Sequence, residues 1–358
     1  MEICITTTVT SMRHVANGVS NNVYNLSNYL AENHDVDIKI YAPRYKGMKK
    51  VEEYPNIRIE RFDIIKFSDL GIFSFDAFRK LRKTRPDLIH SFHYGYFPAT
   101  AGFITAKIKQ VPHVFSTSFH PTQMSIKKAL FMNIYNKAHG RFILNGSTVI
   151  PQNNDEKEHL RRIARSEYKI IPDPIDNKIF YPKKSNENII LYVGTMLPWK
   201  GAHIAFDICK EIERQNKNFR FVFIGTGPLL KDLKRRASNR FSFLSKISIE
   251  KLAYWYRKAD VFLYPTKHES FGRVLAEAMM CGTPVVSTRV GAVPETVGKG
   301  GILVDYGDWH AMKEKVLYLI DNPSEKKRLA KKAIEKTNEY KLGKVCEEFY
   351  RVYKNVLK

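Results

Sequence analysis

Two carboxylates eight residues apart, Glu269 and Glu277, flank the part of this chain richest in groups able to hold a ligand. Between them Ser270-Phe271-Gly272-Arg273-Val274 reads as a loop entering a helix. The apolar strand at 259–264 ends at Pro265, and helical composition over 275–280 stops at Gly282-Thr283-Pro284. In a parallel sheet, strand, loop and helix in this order put Glu269 and the first helix amides at the carboxyl edge of the strands, where ligands of such sheets bind. Amides without intrahelical acceptors, with the helix dipole behind them, favour an anion such as a diphosphate. Glu277 sits further into the helix, but its side chain leans back toward the amino end and the same ligand. Two glutamates at this spacing are equally what a solvated helix surface carries, so the surrounding segment has to decide.

The elements that must position these residues form two series. Apolar runs alternate with helical stretches from 3–6 to 156–165, and again from 189–193 to 309–321. Such alternation predicts parallel sheets with helices on both faces, an α/β fold class. Two doubly wound domains fit a chain of 358 residues, more than one core usually covers. The boundaries fall at 1–172 for the first domain and 188–335 for the second, with the polar, proline-bearing stretch 172–187 as linker and 336–358 as a terminal helix.

Lysine and arginine number 59 against 36 acidic residues, a net charge of +23, which calls for an anionic partner. The basic clusters, such as Arg79-Lys80-Leu81-Arg82-Lys83 and Lys234-Arg235-Arg236, carry no recognition-helix, RNP or zinc-finger pattern, so nucleic acid is not expected. Cys4, Cys209, Cys281 and Cys346 show neither a Cys-x-x-Cys pair nor zinc spacing, and a reducing cytoplasm is the simpler home. The start lacks the basic and apolar regions of a signal peptide, and no run of 18 apolar residues is present. Gly225-Thr226-Gly227-Pro228 follows the strand 220–224 but does not complete a dinucleotide fingerprint, and there is no P-loop lysine. No Asp-x-Asp appears at a strand end, so neither a metal site nor a cofactor is expected.

From Glu269 to the Gly282-Thr283-Pro284-Val285 turn the chain resembles the retaining glycosyltransferases of family 4, whose signature is a Glu, seven residues, Glu run followed by Gly-x-Pro-Val. The resemblance implies the GT-B architecture: two Rossmann-like domains facing across a cleft, with the last helix crossing back to the first. By the same resemblance Glu269 would lie near the donor sugar, Glu277 would grip the nucleotide ribose, and the amides of Phe271, Gly272, Arg273 and Val274, with Ser270 beside them, would hold sugar and phosphate. The loop Gly194-Thr195-Met196-Leu197-Pro198-Trp199-Lys200-Gly201 is the counterpart of the family's Gly-Arg-Leu-x-x-x-Lys-Gly. Lys200 matches the family lysine that neutralises the donor diphosphate, a fixed cation where charge grows as the phosphate departs. Thr195 stands where the family has arginine. Gly225 and Gly227 match the family turn bordering the donor, and Gly18 remains from its Gly-Gly loop. His120, in Ser116-Thr117-Ser118-Phe119-His120, resembles the strand-end histidine that faces the transferred sugar, while His90 and His93 at another strand end would line the acceptor side.

The expectation is therefore a metal-independent, cytoplasmic transferase moving a hexose from a UDP- or GDP-sugar to a glycan or lipid-linked acceptor with retention. Such acceptors belong to N-glycan, polysaccharide or glycolipid assembly. A basic first domain would suit an anionic membrane surface. A merely solvated basic surface would instead suit a small soluble acceptor, and the missing arginine and glycine keep open a degenerate binding or scaffold protein.

Overall fold

The computed structural model describes residues 1–8, 18–67, 71–119, 133, 135–183, 187–215 and 218–358. They form two compact units, one of residues 1–174 with 342–358, the other of residues 175–341.

The first unit carries β1 (Glu2–Thr6), β2 (Asp37–Pro43), β3 (Val51–Tyr54), β4 (Ile57–Phe62), β5 (Ile65–Phe67), β6 (Gly71–Phe73), β7 (Leu88–Phe92), β8 (His113–Ser116) and β9 (Thr148–Ile150). Its main sheet runs β3-β4-β2-β1-β7-β8-β9, parallel except for β3 against β4, and β5 pairs with β6 as a separate hairpin. The elements from β3 to β6 fall where the sequence pattern predicts none. Physically, β3 is a Val-Glu-Glu-Tyr edge left largely in solvent, and β4 buries Ile57 and Ile59 while turning Arg58 outward. The helix Gly18–Asn33 takes Gly18 into its first turn; the residues before it lie outside the described set.

The last helix, Leu342–Val356, belongs to this first unit. Its Val345, Phe349 and Val352 share a core with Val23, Leu26 and Leu30. Glu347 accepts hydrogen bonds from the Tyr29 hydroxyl at 3.0 Å and meets His34 at 2.8 Å, and the His34 ring stacks on Tyr350.

The second unit contains β10 (Ile189–Val193), β11 (Arg220–Ile224), β12 (Phe241–Leu244), β13 (Val261–Tyr264), β14 (Val285–Thr288) and β15 (Gly301–Val304), all parallel, in the order β12-β11-β10-β13-β14-β15. The order reverses between β10 and β13, which makes the exits of these two strands the switch point of the sheet. The 172–187 stretch is only in part a connector. Ile175 and Phe180 are fully buried in the core of the second unit, and the Ile175 amide bonds to the Tyr340 carbonyl at 2.8 Å. Among the described residues no helix is long and apolar enough to cross a membrane.

Candidate functional site

The loops leaving β10 and β13 meet at the switch point of the second unit. The Lys267 amide donates to the Trp199 carbonyl at 2.8 Å, and the Thr266 hydroxyl reaches both that carbonyl, at 3.3 Å, and the His268 carbonyl, at 2.9 Å. Three glycines allow the β10 loop to lie close against its neighbours, Gly201 toward the β13 loop and Gly225 and Gly227 from the β11 exit. Gly201 has φ +73°, and a Cβ there would lie 2.0 Å from the Pro265 carbonyl oxygen. A Cβ on Gly225 would lie 1.9 Å from the Gly194 oxygen, and one on Gly227 2.6 Å from that of Met196. Each therefore lets backbone pass directly against backbone, as only glycine can. Gly194 is tight as well, with Tyr192 and Tyr264 packed over it.

This seam brings together two residues that sequence reading treats separately. The Lys200 ammonium lies 2.5 Å from Glu269 Oε1, and the Tyr264 hydroxyl donates to the same oxygen at 2.6 Å. Glu269 is 7% exposed, so its charge needs these partners. Tyr264 is buried beneath it, and burial followed by the Glu269 charge pushes its phenol far above the ordinary range, keeping it a donor. The Glu269 carbonyl accepts from the Ala292 amide at 3.1 Å, and Gly291 leaves room for that contact. Tyr264 and Gly291 are site-forming residues that the pattern reading missed; for Tyr264 the signal was a hydroxyl at the last strand position before Pro265. Tyr264→Phe is expected to lower stability by about 1.5–3 kcal/mol, the worth of a hydrogen bond to a charged group. Urea unfolding at neutral pH measures it, and an unchanged midpoint would mean the bond contributes nothing.

Two residues past Ser270, Gly272 precedes the helix Arg273–Met280 as its N-cap, and its φ of +82° turns the chain into the first turn. Phe271 points its ring inward, edge-on to Tyr340 at 5.2 Å, and its carbonyl accepts from the Thr296 hydroxyl, so its backbone alone borders the site. The first amides of this helix, at Arg273 and Val274, are the anion-directed end. Glu277 accepts from Arg273 Nε at 2.9 Å and from the Tyr256 hydroxyl at 3.2 Å, with both side chains of the ion pair largely buried. Burial, then the Glu277 charge, raises the Tyr256 phenol well above its usual range. Arg273 thus reaches Glu277 on its own helix, and Thr195, standing at the family arginine position, offers its carbonyl to the Leu197 amide at 2.8 Å.

In the first unit, His90 and His93 part company. His90 is fully buried, its ring nitrogens 2.6 Å from the Tyr353 hydroxyl and 2.8 Å from the Ser116 hydroxyl, which ties β7 to the last helix. His93 lies just past β7 with φ +73°, a strained conformation for this residue type. Its Nδ1 is 2.8 Å from the Thr8 hydroxyl, and Nε2 is buried without a hydrogen-bond partner among the described residues. Burial lowers its pKa to about 4, so the ring is neutral. His120 lies outside the described residues. Among those described, no group of three or more His, Cys, Asp or Glu side chains is disposed to hold a metal ion.

Comparison with known proteins places this geometry. Residues 16–178 match the family model described as Glycosyltransferase Family 4, and residues 175–336 match Glycosyl transferases group 1. An uncharacterized glycosyltransferase of Methanocaldococcus jannaschii is 28% identical over 281 residues, covering 75% of this chain and 76% of its own. A sulfoquinovosyl transferase of Arabidopsis thaliana is 25% identical over 73% of this chain and 55% of its own length. A D-inositol 3-phosphate glycosyltransferase of Corynebacterium efficiens is 29% identical over 46% of this chain and 42% of its own. Among solved structures, sucrose-phosphate synthase from Thermosynechococcus elongatus superimposes with a TM-score of 0.79 at 21% identity, covering 99% of this chain and 98% of that one. The Anabaena HepE structure in complex with UDP-glucose does so with a TM-score of 0.77 at 18% identity, covering 99% and 100%.

Proposed function

Because the chain belongs to the GT-B glycosyltransferases of family 4, we propose that it moves a hexose from a UDP- or GDP-sugar to a hydroxyl of a glycan or lipid-linked acceptor, with retention at the anomeric carbon. The observation that carries this reading is the Lys200, Glu269 and Tyr264 cluster beside the start of the helix Arg273–Met280, at the switch point of a parallel sheet. A diphosphate seated there meets one ammonium and a row of amides, and the charge it gains on leaving is met by groups already in place. Glu269, held by Tyr264, faces the sugar; Glu277, held by Tyr256 and Arg273, takes the ribose. The bond from the anomeric carbon to the phosphate oxygen breaks, the bond to the acceptor oxygen forms on the same face, and the acceptor proton passes to the leaving phosphate. His93, neutral at the exit of β7, stands on the acceptor side, with His120 assigned to the sugar by family resemblance. HepE, crystallised with UDP-glucose, supports a UDP-sugar as the first donor to try.

The test is transfer and hydrolysis of a panel of UDP- and GDP-hexoses with EDTA present. Activity is expected to persist in chelator, since Lys200 and the helix amides meet the leaving-group charge. Loss in EDTA restored by Mn²⁺ or Mg²⁺ would refute metal independence. Nucleotide binding without turnover across the panel would favour a scaffold protein instead. Comparing soluble sugars with acceptors in anionic vesicles, at low and high salt, separates the small-acceptor alternative from a cytoplasmic enzyme working at a membrane surface.

A further inference from the structure

The first unit contains a buried carboxylate that the proposed transfer does not use. Glu156 is 0% exposed, in the first turn of the helix Asn154–Arg161, which Asn153 caps by accepting the Glu156 amide at 2.9 Å. Its oxygens accept three hydrogen bonds from two loops: from the Gln152 amide at 2.7 Å, the Phe119 amide at 2.6 Å and the Thr117 hydroxyl at 2.5 Å. Thr117, Ser118 and Phe119 form the turn leaving β8 at its carboxyl end. Ser118, in the middle, has φ +43°, a left-handed conformation that costs a non-glycine residue energy and persists only where its surroundings enforce it. Here both neighbours of Ser118 are bound to one carboxylate.

The same corner supports the exit of β7. The Thr117 carbonyl accepts from the Tyr94 amide at 2.8 Å, and the Ser116 carbonyl from the His93 amide at 3.0 Å. An ionised carboxylate is the group for this task, because both its oxygens are acceptors and all three partners are donors. A glutamine would turn an NH₂ toward one of them.

We propose that Glu156 is a positioning residue for the transfer reaction, its carboxylate fixing the Thr117–Phe119 corner and, through it, the β7 exit that carries His93 on the acceptor side. The inference rests on the transferase reading above. Burial raises the pKa of Glu156 to about 7, and Asp173, the charged group acting on it, pushes in the same direction. The ionised anchor is therefore complete above about pH 7 and lost as pH falls through it. Stability runs the other way: a carboxyl whose folded pKa is raised contributes stability that is fully present below its unfolded value and lost as pH rises through about 7. Between pH 8 and pH 6 the contribution of this group makes the protein sturdier and the acceptor side less ordered.

The experiment compares wild type, Glu156→Gln and Glu156→Asp for acceptor KM, kcat, nucleoside diphosphate affinity and melting temperature across pH 5.5 to 9. Glu156→Gln is expected to lower kcat/KM for acceptor about tenfold, the scale of one misdirected hydrogen bond, with nucleotide affinity unchanged and the limb near pH 7 absent from its profile. Glu156→Asp, which keeps a carboxylate, should retain that limb and recover part of the rate. The proposal is overturned if Glu156→Gln keeps the wild-type profile. It is equally overturned if donor and acceptor parameters fall together with melting temperature, the mark of a merely structural role. A wild type that turns over no nucleotide sugar refutes the transferase reading itself, a result distinct from either.

Discussion

Lys200→Ala is expected to lower transfer by about 100-fold or more, the scale of losing one preorganised charge contact to a leaving group. The loss should lie in kcat more than in donor affinity, because the ammonium matters most as phosphate charge grows. In the resting protein this lysine neutralises Glu269, which is buried and also holds the Tyr264 hydroxyl. Its removal leaves the carboxylate with one fewer partner, so a stability loss of about 1–3 kcal/mol should accompany the kinetic one. Single-turnover transfer measured well below the melting temperature separates the two. Wild-type turnover in a folded variant would remove Lys200 from the reaction.

Gly201→Ala is expected to damage the site through a single methyl group. The backbone there is left-handed, and the new Cβ would fall 2.0 Å from the Pro265 carbonyl oxygen, a rigid neighbour. Left-handed strain and overpacking together cost about 2–5 kcal/mol. Relief requires the β10 loop to move off the β13 loop, stretching the bond between the Lys267 amide and the Trp199 carbonyl and separating Lys200 from Glu269. Melting temperature and transfer rate should therefore fall together. A variant with normal stability would show that the loops can part freely.

The sequence was most readable where strands are buried on both faces. The runs at β10, β11 and β13 are nearly unbroken apolar stretches, and they form as expected. It was least readable at edges: β12 buries Phe241 but leaves its other residues partly in water, and β3 is a charged, exposed edge. Within the site, residue types and spacing singled out Lys200 and Glu269, but their mutual contact spans 69 positions and comes from strand order, which no local pattern encodes. Arg273 with Glu277 was open to reading as a helical i, i+4 pair, yet their burial is a tertiary property. Glu156 looked like one charge in a charged helix. Its one local signal was the Asn153-x-x-Glu156 spacing of a capping box, with the glutamate turned to a different set of amides. His90 and His93 shared a strand end in the pattern; in the structure both are buried, and it is the left-handed backbone at His93 that sets the second apart.

The placement of the helix Leu342–Val356 has a consequence for how the protein is made. A ribosome delivers residues 1–174 long before the helix that covers Val23, Leu26 and Leu30, while the second unit, residues 175–341, is one contiguous stretch of chain. The nascent first unit must wait with an uncovered apolar face, as a natural client for a chaperone, while the second unit, begun later, is the first to be finished. A premature stop just after the second unit would therefore injure the half of the protein synthesised earliest.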